Sequence, residues 1–384
     1  MAAPTLELAD IFRQHGPAYR QTHSLPWHQQ RLMQAIENCR TPALGAAVEW
    51  CSQCQFTHIC YRSCRNRHCP KCQGMARERW IEDRRAELLP CEYFHVVFTL
   101  PQPVARLAFY NKQLVFNILF QAAAEALLGT AAQRLGVELG FFCILHSWGQ
   151  NLHFHPHLHC VVPGGGLSPG HQRWIAAKRR FLLPVKVLSP RFRRLVLKAL
   201  RRAYSQGKLQ FPGPLHVLGE PSSFTGFLQP LQRLPWVVYA KPPFGGPAHV
   251  LEYLGRYTHR VAIGNRRLLS LENGKVSFSW TDYRDSKKKV MTVATDEFIR
   301  LFLQHSLPTG FQRIRYYGFL ANCHRALKIA LCRRLLFSPV LELLPQAPSF
   351  YSVARSQWGF CPKCKVGVLA RLFLPPAAWL ADTS

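Results

Sequence analysis

Four histidines lie at alternate positions between residues 153 and 159, in the segment His153-Phe-His-Pro-His-Leu-His159. Alternate side chains of a β-strand point to one face, so His157 and His159 should face the same way. Pro156 cannot donate a ladder hydrogen bond, which places the start of the strand there. Two imidazoles on one face can hold a divalent ion and leave other coordination positions open. The segment therefore predicts a catalytic metal site.

A third metal ligand should come from a neighbouring strand. His146 lies eleven residues before His157 and would face the same pocket if the two strands pair antiparallel. His155 and His95 are the alternatives. A single histidine on a strand is usually a packed, hydrogen-bonded residue, but packing explains so dense a group poorly. We therefore expect His146, His157 and His159 to bind the ion.

Two tyrosines stand four residues apart in the segment Glu252-Tyr-Leu-Gly-Arg-Tyr-Thr-His-Arg260. On a helix, Tyr253 and Tyr257 would share one face, with about 6 Å between their Cβ atoms. A phenol with a pKa of about 10 is a poor nucleophile at neutral pH. The cationic Arg256 and Arg260 would favour the phenolate, and a metal ion can polarise a phosphate under attack. Tyrosines at this spacing are also common as core or interface aromatics, and the histidine strand is what favours a catalytic role.

Two C-x-x-C pairs, Cys51 with Cys54 and Cys69 with Cys72, are separated by fourteen residues. Each pair can supply two corners of a zinc tetrahedron, so the four predict a structural Zn²⁺ site. Four residues between the pairs could replace a ligand, hold a second ion or simply pack: His58, Cys60, Cys64 and His68.

A third pair, Cys361 and Cys364, lies near the other end of the sequence. It forms only half a zinc site. It could complete a site with other residues or remain as free thiols, and the sequence leaves both readings open.

Basic residues surround these motifs. Arg65, Arg67 and Lys71 lie beside the cysteines and could contact DNA phosphates from a rigid zinc-bound knuckle, or could form a solvated rim. A basic helix at 191–204 and the turn at 287–289 could grip a phosphate backbone. The formal charge of +29 in 384 residues agrees with a polyanionic partner.

Membrane attachment and secretion are not favoured. The sequence begins without a basic segment followed by an apolar one. The most apolar window, 115–132, contains Asn117, Gln121 and Glu125 and is typical of a buried helix. With 48% apolar residues, most of the chain should fold. We therefore expect a nucleic-acid-binding protein of the bacterial cytoplasm, associated with the nucleoid.

The elements that would position these side chains follow from periodicity and breakers. Strands are expected at 93–100, 141–148 and 157–162, and a hairpin over 268–280 turns at Asn273-Gly274. Helices are expected at 75–89, 104–135, 191–204, 248–263 and from residue 296 onward.

Three segments together resemble the two-tyrosine, rolling-circle transposases of the IS91 family. Ser63-Cys-Arg-Asn-Arg-His-Cys-Pro-Lys-Cys72 is similar to that family's zinc-binding domain. His155-Pro-His-Leu-His159 and Tyr253-Leu-Gly-Arg-Tyr-Thr-His-Arg-Val-Ala-Ile263 are similar to its catalytic motifs. The motifs occur in the family's order, and the resemblance covers about 45 to 325.

The resemblance implies an α+β fold of the HUH nuclease type, an antiparallel sheet flanked by helices. The expected division is an N-terminal helical and zinc-binding domain at 1–89, a catalytic domain at 90–325 and a helical tail at 326–384. The resemblance also implies that His157 and His159 bind Mg²⁺ or Mn²⁺ and that Tyr253 and Tyr257 are the nucleophiles. A 5′-phosphotyrosine and a free 3′-hydroxyl would result.

The sequence therefore predicts a transposase that nicks and rejoins single-stranded DNA at element ends. Two other functions remain open. A relaxase or a rolling-circle replication initiator would use the same chemistry on a different DNA. A non-catalytic, zinc-dependent DNA-binding protein would bind without forming a covalent adduct.

Overall fold

The computed structural model describes residues 6–241, 250, 261–282, 285–336 and 360–376. Within them, the helices in chain order are α1 Leu8–Thr22, α2 Trp27–Glu37, α3 Pro70–Arg85, α4 Gln102–Tyr110, α5 Lys112–Leu135, α6 Val185–Ser205, α7 Pro221–Arg233, α8 Thr295–Leu303 and α9 Arg325–Leu336. The strands are β1 Ala46–Cys51, β2 Thr57–Tyr61, β3 Tyr93–Thr99, β4 Gly140–Trp148, β5 Phe154–Pro163, β6 Gly165–Leu167, β7 Trp174–Ala176, β8 Val238–Lys241, β9 Leu268–Glu272, β10 Lys275–Asp282, β11 Lys287–Ala294, β12 Ile314–Gly318 and β13 Leu369–Leu374.

The largest sheet has five strands in the order β12-β4-β5-β3-β8, and every pair in it is antiparallel. Helices α4, α5 and α6 pack on one face of this sheet through its largest apolar core. Strand side chains reach that core at alternate positions, as in Leu158, Cys160 and Val162 of β5. The architecture is α+β, with antiparallel sheets flanked by helices, which confirms the predicted fold class.

Among the described helices, α5 is the one that is long and apolar enough to cross a bilayer, judged by length and composition alone. Two thirds of its most apolar window, 67%, is buried inside the protein. Side chains from along the helix, including Phe116, Leu119 and Leu127, lie in the core against the sheet. Its hydrophobicity is accounted for by that packing.

A second core joins the beginning of the chain to a later segment. Side chains of α1 and α2 pack with α8 and with the three-stranded sheet β11-β10-β9. The rings of Phe12 and Phe302 meet edge to face at 5.5 Å. In that sheet, β9 and β10 turn at Asn273 and Gly274, both with positive φ, as the primed hairpin turn requires.

The third sheet brings the two ends of the described chain together. Strand β1 pairs with β2 on one side and with β13 on the other, both antiparallel. The sequence predicted a helical tail over 326–384. Its described parts consist of the rest of α9 and then a strand, because β13 completes the backbone hydrogen bonding of β1.

Several element bounds differ from the sequence expectation. The helix predicted at 104–135 is two helices, α4 and α5, divided at Asn111. Strand β5 begins at Phe154, two residues before the proline that was expected to start it. Strand β12 interrupts the region that was predicted to be helical from residue 296. The predicted helix at 248–263 lies largely outside the described residues.

Candidate functional site

The predicted histidines lie on the face of the central sheet opposite to helices α4–α6. His146 of β4 is the direct cross-strand partner of His157 of β5, and His159 follows two residues later on the same face. Pairing of β3 with β5 places Thr99 beside His157 and Val97 beside His159. The antiparallel pairing that the sequence argument required is therefore present, and it brings the three histidines together.

The imidazole nitrogens of this triad converge. One ring nitrogen from each of His146, His157 and His159 lies within 4.8 Å of the others. Nε2 of His157 and Nε2 of His159 are 3.0 Å apart. Nδ1 of His157 lies 2.7 Å from the carbonyl oxygen of His155, so Nδ1 carries the proton and the Nε2 lone pair faces the triad. This is the tautomer that a metal-binding histidine needs.

His95, on β3, contacts the triad through a hydrogen bond to His159. It is 2% exposed, and its Nε2 lies 2.8 Å from Nδ1 of His159. Burial, followed by the positive charge of Lys241, lowers the pKa of His95 to about 3, so the ring is neutral near pH 7. A neutral His95 can accept a hydrogen bond at Nε2 from the Nδ1–H of His159, which leaves Nε2 of His159 for an ion. The sequence offers His95 as an alternative third ligand, whereas this geometry suits a residue that positions His159.

An open pocket of about 560 Å³ contains the triad. Trp148 stacks on His146 with 4.8 Å between ring centroids and 17° between planes, which fixes the orientation of that imidazole. The opposite wall comes from β10 through Trp280, Thr281 and Asp282. The Asp282 carboxylate also forms an ion pair with Lys289 at 2.8 Å. This wall was not predictable from the sequence, because no local pattern marks a hairpin as the neighbour of a distant strand.

The donor set fits a divalent ion. Bonds of about 2.1 Å in an octahedral site put neighbouring donor atoms roughly 3.0 Å apart, which is the spacing of the two Nε2 atoms. Three imidazoles suit transition ions better than Mg²⁺, which prefers oxygen ligands. Remaining positions would open toward the pocket, where a phosphate oxygen or water could bind.

The tyrosine motif lies outside the described residues. Tyr253 and Tyr257, the predicted nucleophiles, and Arg256 and Arg260, predicted to bind DNA, all belong to it. Val250, three residues before the motif, is buried beside Phe142, Ile144 and Val161, on the histidine face of the central sheet.

The cysteines form two four-thiol clusters where the sequence predicted one. Cys69 and Cys72 join Cys39 and Cys64 in what we call the N-terminal cluster. Cys51 and Cys54 join Cys361 and Cys364 in what we call the split cluster. The predicted grouping of Cys51 and Cys54 with Cys69 and Cys72 is therefore wrong, because the pairing of β1 with β13 brings the turn of Cys51 and Cys54 to the turn of Cys361 and Cys364.

Sulfur positions in the N-terminal cluster suit one zinc ion. The Sγ atoms of Cys39 and Cys72, of Cys64 and Cys72, and of Cys39 and Cys69 are 3.6, 3.6 and 3.7 Å apart. A tetrahedral zinc site with Zn–S bonds of about 2.3 Å has sulfur separations of about 3.8 Å. Cys39 was not recognised in the sequence, since it stands alone at the end of α2 with no neighbouring cysteine.

The three basic residues that were predicted to contact DNA beside the cysteines differ in their contacts. Arg67 donates to the carbonyl oxygen of Phe311 at 2.6 Å, and Lys71 forms an ion pair with Glu7 at 2.5 Å. These two side chains hold the zinc region to the rest of the protein. Arg65 is exposed and has positive φ, and of the three it is the most available to a phosphate.

Comparisons with known proteins identify two family models that match the chain. Residues 140–327 match the protein-family model described as "Putative transposase", and residues 11–100 match the model described as "Transposase zinc-binding domain". The second span contains the whole N-terminal cluster, which supports a structural zinc ion there.

Two curated relatives extend the match to most of the chain. The chain is 54% identical over 400 aligned residues to "Putative transposase y4qJ" of Sinorhizobium fredii, with all of both chains covered. It is 31% identical over 341 residues to "Transposase for insertion sequence element IS801" of Pseudomonas savastanoi pv. phaseolicola, covering 82% of this chain and 77% of the relative. The chain therefore belongs to the IS91 family of transposases, enzymes that act on DNA and carry a zinc-binding domain.

Proposed function

We propose that this transposase nicks and rejoins single-stranded DNA at the ends of its element, through 5′-phosphotyrosine intermediates in rolling-circle transposition. The observation that carries the proposal is the convergence of three imidazole nitrogens within 4.8 Å at an open pocket. The match to a transposase of a named insertion sequence supports the same reaction class.

The proposed step is an exchange of phosphate esters. The hydroxyl oxygen of Tyr253 or Tyr257 loses its proton to solvent, attacks a DNA phosphorus and forms a phosphotyrosine bond. The bond from that phosphorus to the 3′-oxygen breaks, and the oxygen leaves as a 3′-hydroxyl after gaining a proton. Later attack by a 3′-hydroxyl on the phosphotyrosine rejoins the strand and releases the tyrosine.

The histidine triad would hold the divalent ion that polarises the phosphate oxygen. Of the two ions that the sequence suggested, nitrogen ligands favour Mn²⁺ over Mg²⁺. His95 would keep His159 in the tautomer that binds the ion, and Trp148 would hold the ring plane of His146.

Single-stranded DNA suits the pocket because a free strand can bring its backbone to the triad and stack a base on an aromatic wall. Trp280 supplies such a wall, with the Lys289 ammonium 5.7 Å from its ring centroid. Arg65, Arg256 and Arg260 are proposed phosphate contacts. The enzyme would work in the bacterial cytoplasm at the nucleoid, where its DNA lies.

The test is a covalent-adduct assay with labelled single-stranded DNA that carries the element end, in Mn²⁺. Wild-type protein should form an adduct, and the double variant Tyr253→Phe/Tyr257→Phe should form none, because no phenolic oxygen remains in the motif. His157→Ala should reduce adduct formation by about 100-fold or more, the scale expected when a charge-stabilising group is removed.

His216→Asn is the matched control, since His216 is exposed and lies outside the pocket. It should form adduct at the wild-type rate. An adduct that persists in the double tyrosine variant would overturn the assignment of the nucleophile. Tight DNA binding without any adduct, across several divalent ions, would favour a non-catalytic DNA-binding protein.

A further inference from the structure

The end of the described chain is built into the N-terminal zinc region. Strand β13 pairs with β1 along its whole length, from Ala46 opposite Leu374 to Cys51 opposite Leu369. Gly45 lies so close to β13 that a Cβ added there would come within 2.7 Å of the Leu374 carbonyl oxygen. Residues 360–376 therefore complete a sheet that β1 and β2 begin.

The two C-x-x-C turns of the split cluster form similar backbone hydrogen bonds. The amide of Cys51 donates to the carbonyl of Phe56 at 2.9 Å, and the amide of Gln55 donates to the carbonyl of Cys51 at 2.9 Å. In the other turn, Cys361 donates to Gly367 at 2.6 Å, and Lys365 donates to Cys361 at 2.8 Å.

A left-handed residue follows the second cysteine in both turns: Gln55 has φ of 57° and Lys365 has φ of 59°. Residues other than glycine rarely adopt this backbone conformation, so its recurrence at equivalent positions indicates a shared constraint. Each turn aims two sulfurs at a common point.

The sulfurs of one turn lie close to the sulfurs of the other. Sγ of Cys51 and Sγ of Cys364 are 3.8 Å apart, and Sγ of Cys54 and Sγ of Cys361 are 3.5 Å apart. These separations are too long for disulfides, whose sulfurs are about 2.0 Å apart. They match the roughly 3.8 Å edge of a tetrahedral four-thiolate zinc site.

Gly367 lies in close contact with the sulfurs of the split cluster. The amide of Gly367 donates to Sγ of Cys364 at 3.3 Å. A Cβ at Gly367 would lie 2.5 Å from Sγ of Cys51. A larger residue at this position would push one half of the cluster away from the other.

We propose that the split cluster binds a second structural Zn²⁺ and, with β13-β1-β2, forms a zinc ribbon assembled from two distant parts of the chain. This ion is distinct from the one in the N-terminal cluster. It fastens residues 360–376 to the zinc region, and it does not depend on the proposed nicking chemistry.

The test is the zinc content of the purified full-length protein, measured by elemental analysis against protein concentration. Every sample carries His157→Ala, so that the histidine triad adds no zinc to the count. The chain with both clusters intact should contain two zinc ions. Adding Cys361→Ser/Cys364→Ser should leave one, and adding Cys323→Ser, whose exposed thiol lies in neither cluster, should leave two. One zinc ion with both clusters intact, or two in the double serine variant, would overturn the proposal.

A second variant guards against misfolding of the serine double variant. Gly367→Ala keeps all eight cluster cysteines and should weaken only the split cluster. One of the two zinc ions should then pass to a chelator at least about 10-fold faster than in wild-type protein, while the other is released at the wild-type rate. Release of both ions at wild-type rates would contradict the proposed site.

Discussion

His305 contacts Trp148, which lines the histidine pocket, and is 1% exposed. Its ring stacks on Phe154 at 6.1 Å and meets Trp148 edge to face at 5.9 Å. Nε2 lies 2.9 Å from the carbonyl oxygen of Leu152, and Nδ1 lies 3.3 Å from the hydroxyl of Ser147. A neutral ring satisfies both contacts by donating to the carbonyl and accepting from the hydroxyl. Burial lowers the pKa of His305 to about 3, although the bond to Leu152 opposes the shift.

This burial predicts a pH dependence of stability. Between pH 7.5 and 5.5, His305 gains a proton in the unfolded chain, where its pKa is about 6.5, but not in the folded protein. The unfolded state therefore binds more protons, and this residue's share of the free energy of unfolding falls by about 1.4 kcal/mol on acidification. His305→Gln should lose that much less stability over the same interval, measured by denaturant unfolding. Equal losses in both proteins would contradict the neutral assignment.

At the scale of single residues, the sequence predicted site residues where they lie close together along the chain. Alternation in a strand was enough to predict that His157 and His159 share a face, and β4 placed His146 opposite. The role of His95 could not be derived, because its contact with His159 joins residues 64 positions apart. A lone buried histidine has no local pattern that marks it.

Among the elements, β12 depends on a close approach of two backbones. Gly318 pairs with Gly140 at the edge of the central sheet and has φ of 60°. A Cβ at Gly318 would overlap the carbonyl oxygen of Leu139. Gly136 is a matched comparison, because it has φ of 64° with no atom within 4 Å of an added Cβ.

Alanine at either glycine should incur the left-handed penalty of about 1 to 2 kcal/mol. Gly318→Ala should lose about 2 kcal/mol more than Gly136→Ala, since overlap with backbone forces β12 to shift. Thermal unfolding of both variants would measure the difference. Equal midpoints would show that β12 does not need the close contact.

Elements were predictable where periodicity was long and less so where tertiary contacts set a boundary. Asn111 divides α4 from α5, and its side chain bonds to the backbone of Leu107 and of Gln210. The second partner is 99 residues away, so the break has no complete signal in its own segment. Strand β12 is short and half-buried, which gives it little of the alternation that identifies a strand.

At the scale of the whole molecule, part of the positive charge lies on the outer side of α6. Its apolar side packs in the main core, while Arg194, Lys198 and Arg201 are exposed on the outer side. Arg194 and Arg201 also line a groove of about 530 Å³. This surface is where the sequence predicted a grip on the DNA backbone.

Arg194→Gln/Arg201→Gln should weaken single-stranded DNA binding and flatten its salt dependence. Each lost phosphate contact changes the slope of log K against log salt concentration by about 0.7, so the double variant should lose about 1.4. Fluorescence anisotropy at several salt concentrations measures the slope. Arg13→Gln, whose side chain pairs with Asp10 on α1, is the control and should keep the wild-type slope. A double variant with that slope would exclude this surface from DNA contact.

Long-range pairing is the part of the molecule that the sequence could not supply. Each C-x-x-C pair was recognisable locally, but Cys51 and Cys364 are 313 residues apart. Nothing in either segment states which pair completes which site. Only the register of β1 against β13 decides it.

That register has a consequence for biosynthesis. At about 5 to 20 residues per second, roughly 15 to 60 seconds pass on the ribosome between translation of Cys54 and translation of Cys361. Strands β1 and β2 are the first strands to leave the ribosome, but their sheet is complete only after β13 has been made. A chain whose synthesis stops before residue 361 lacks Cys361, Cys364 and β13, so β1 has no partner on one side and the split cluster has two of its four cysteines.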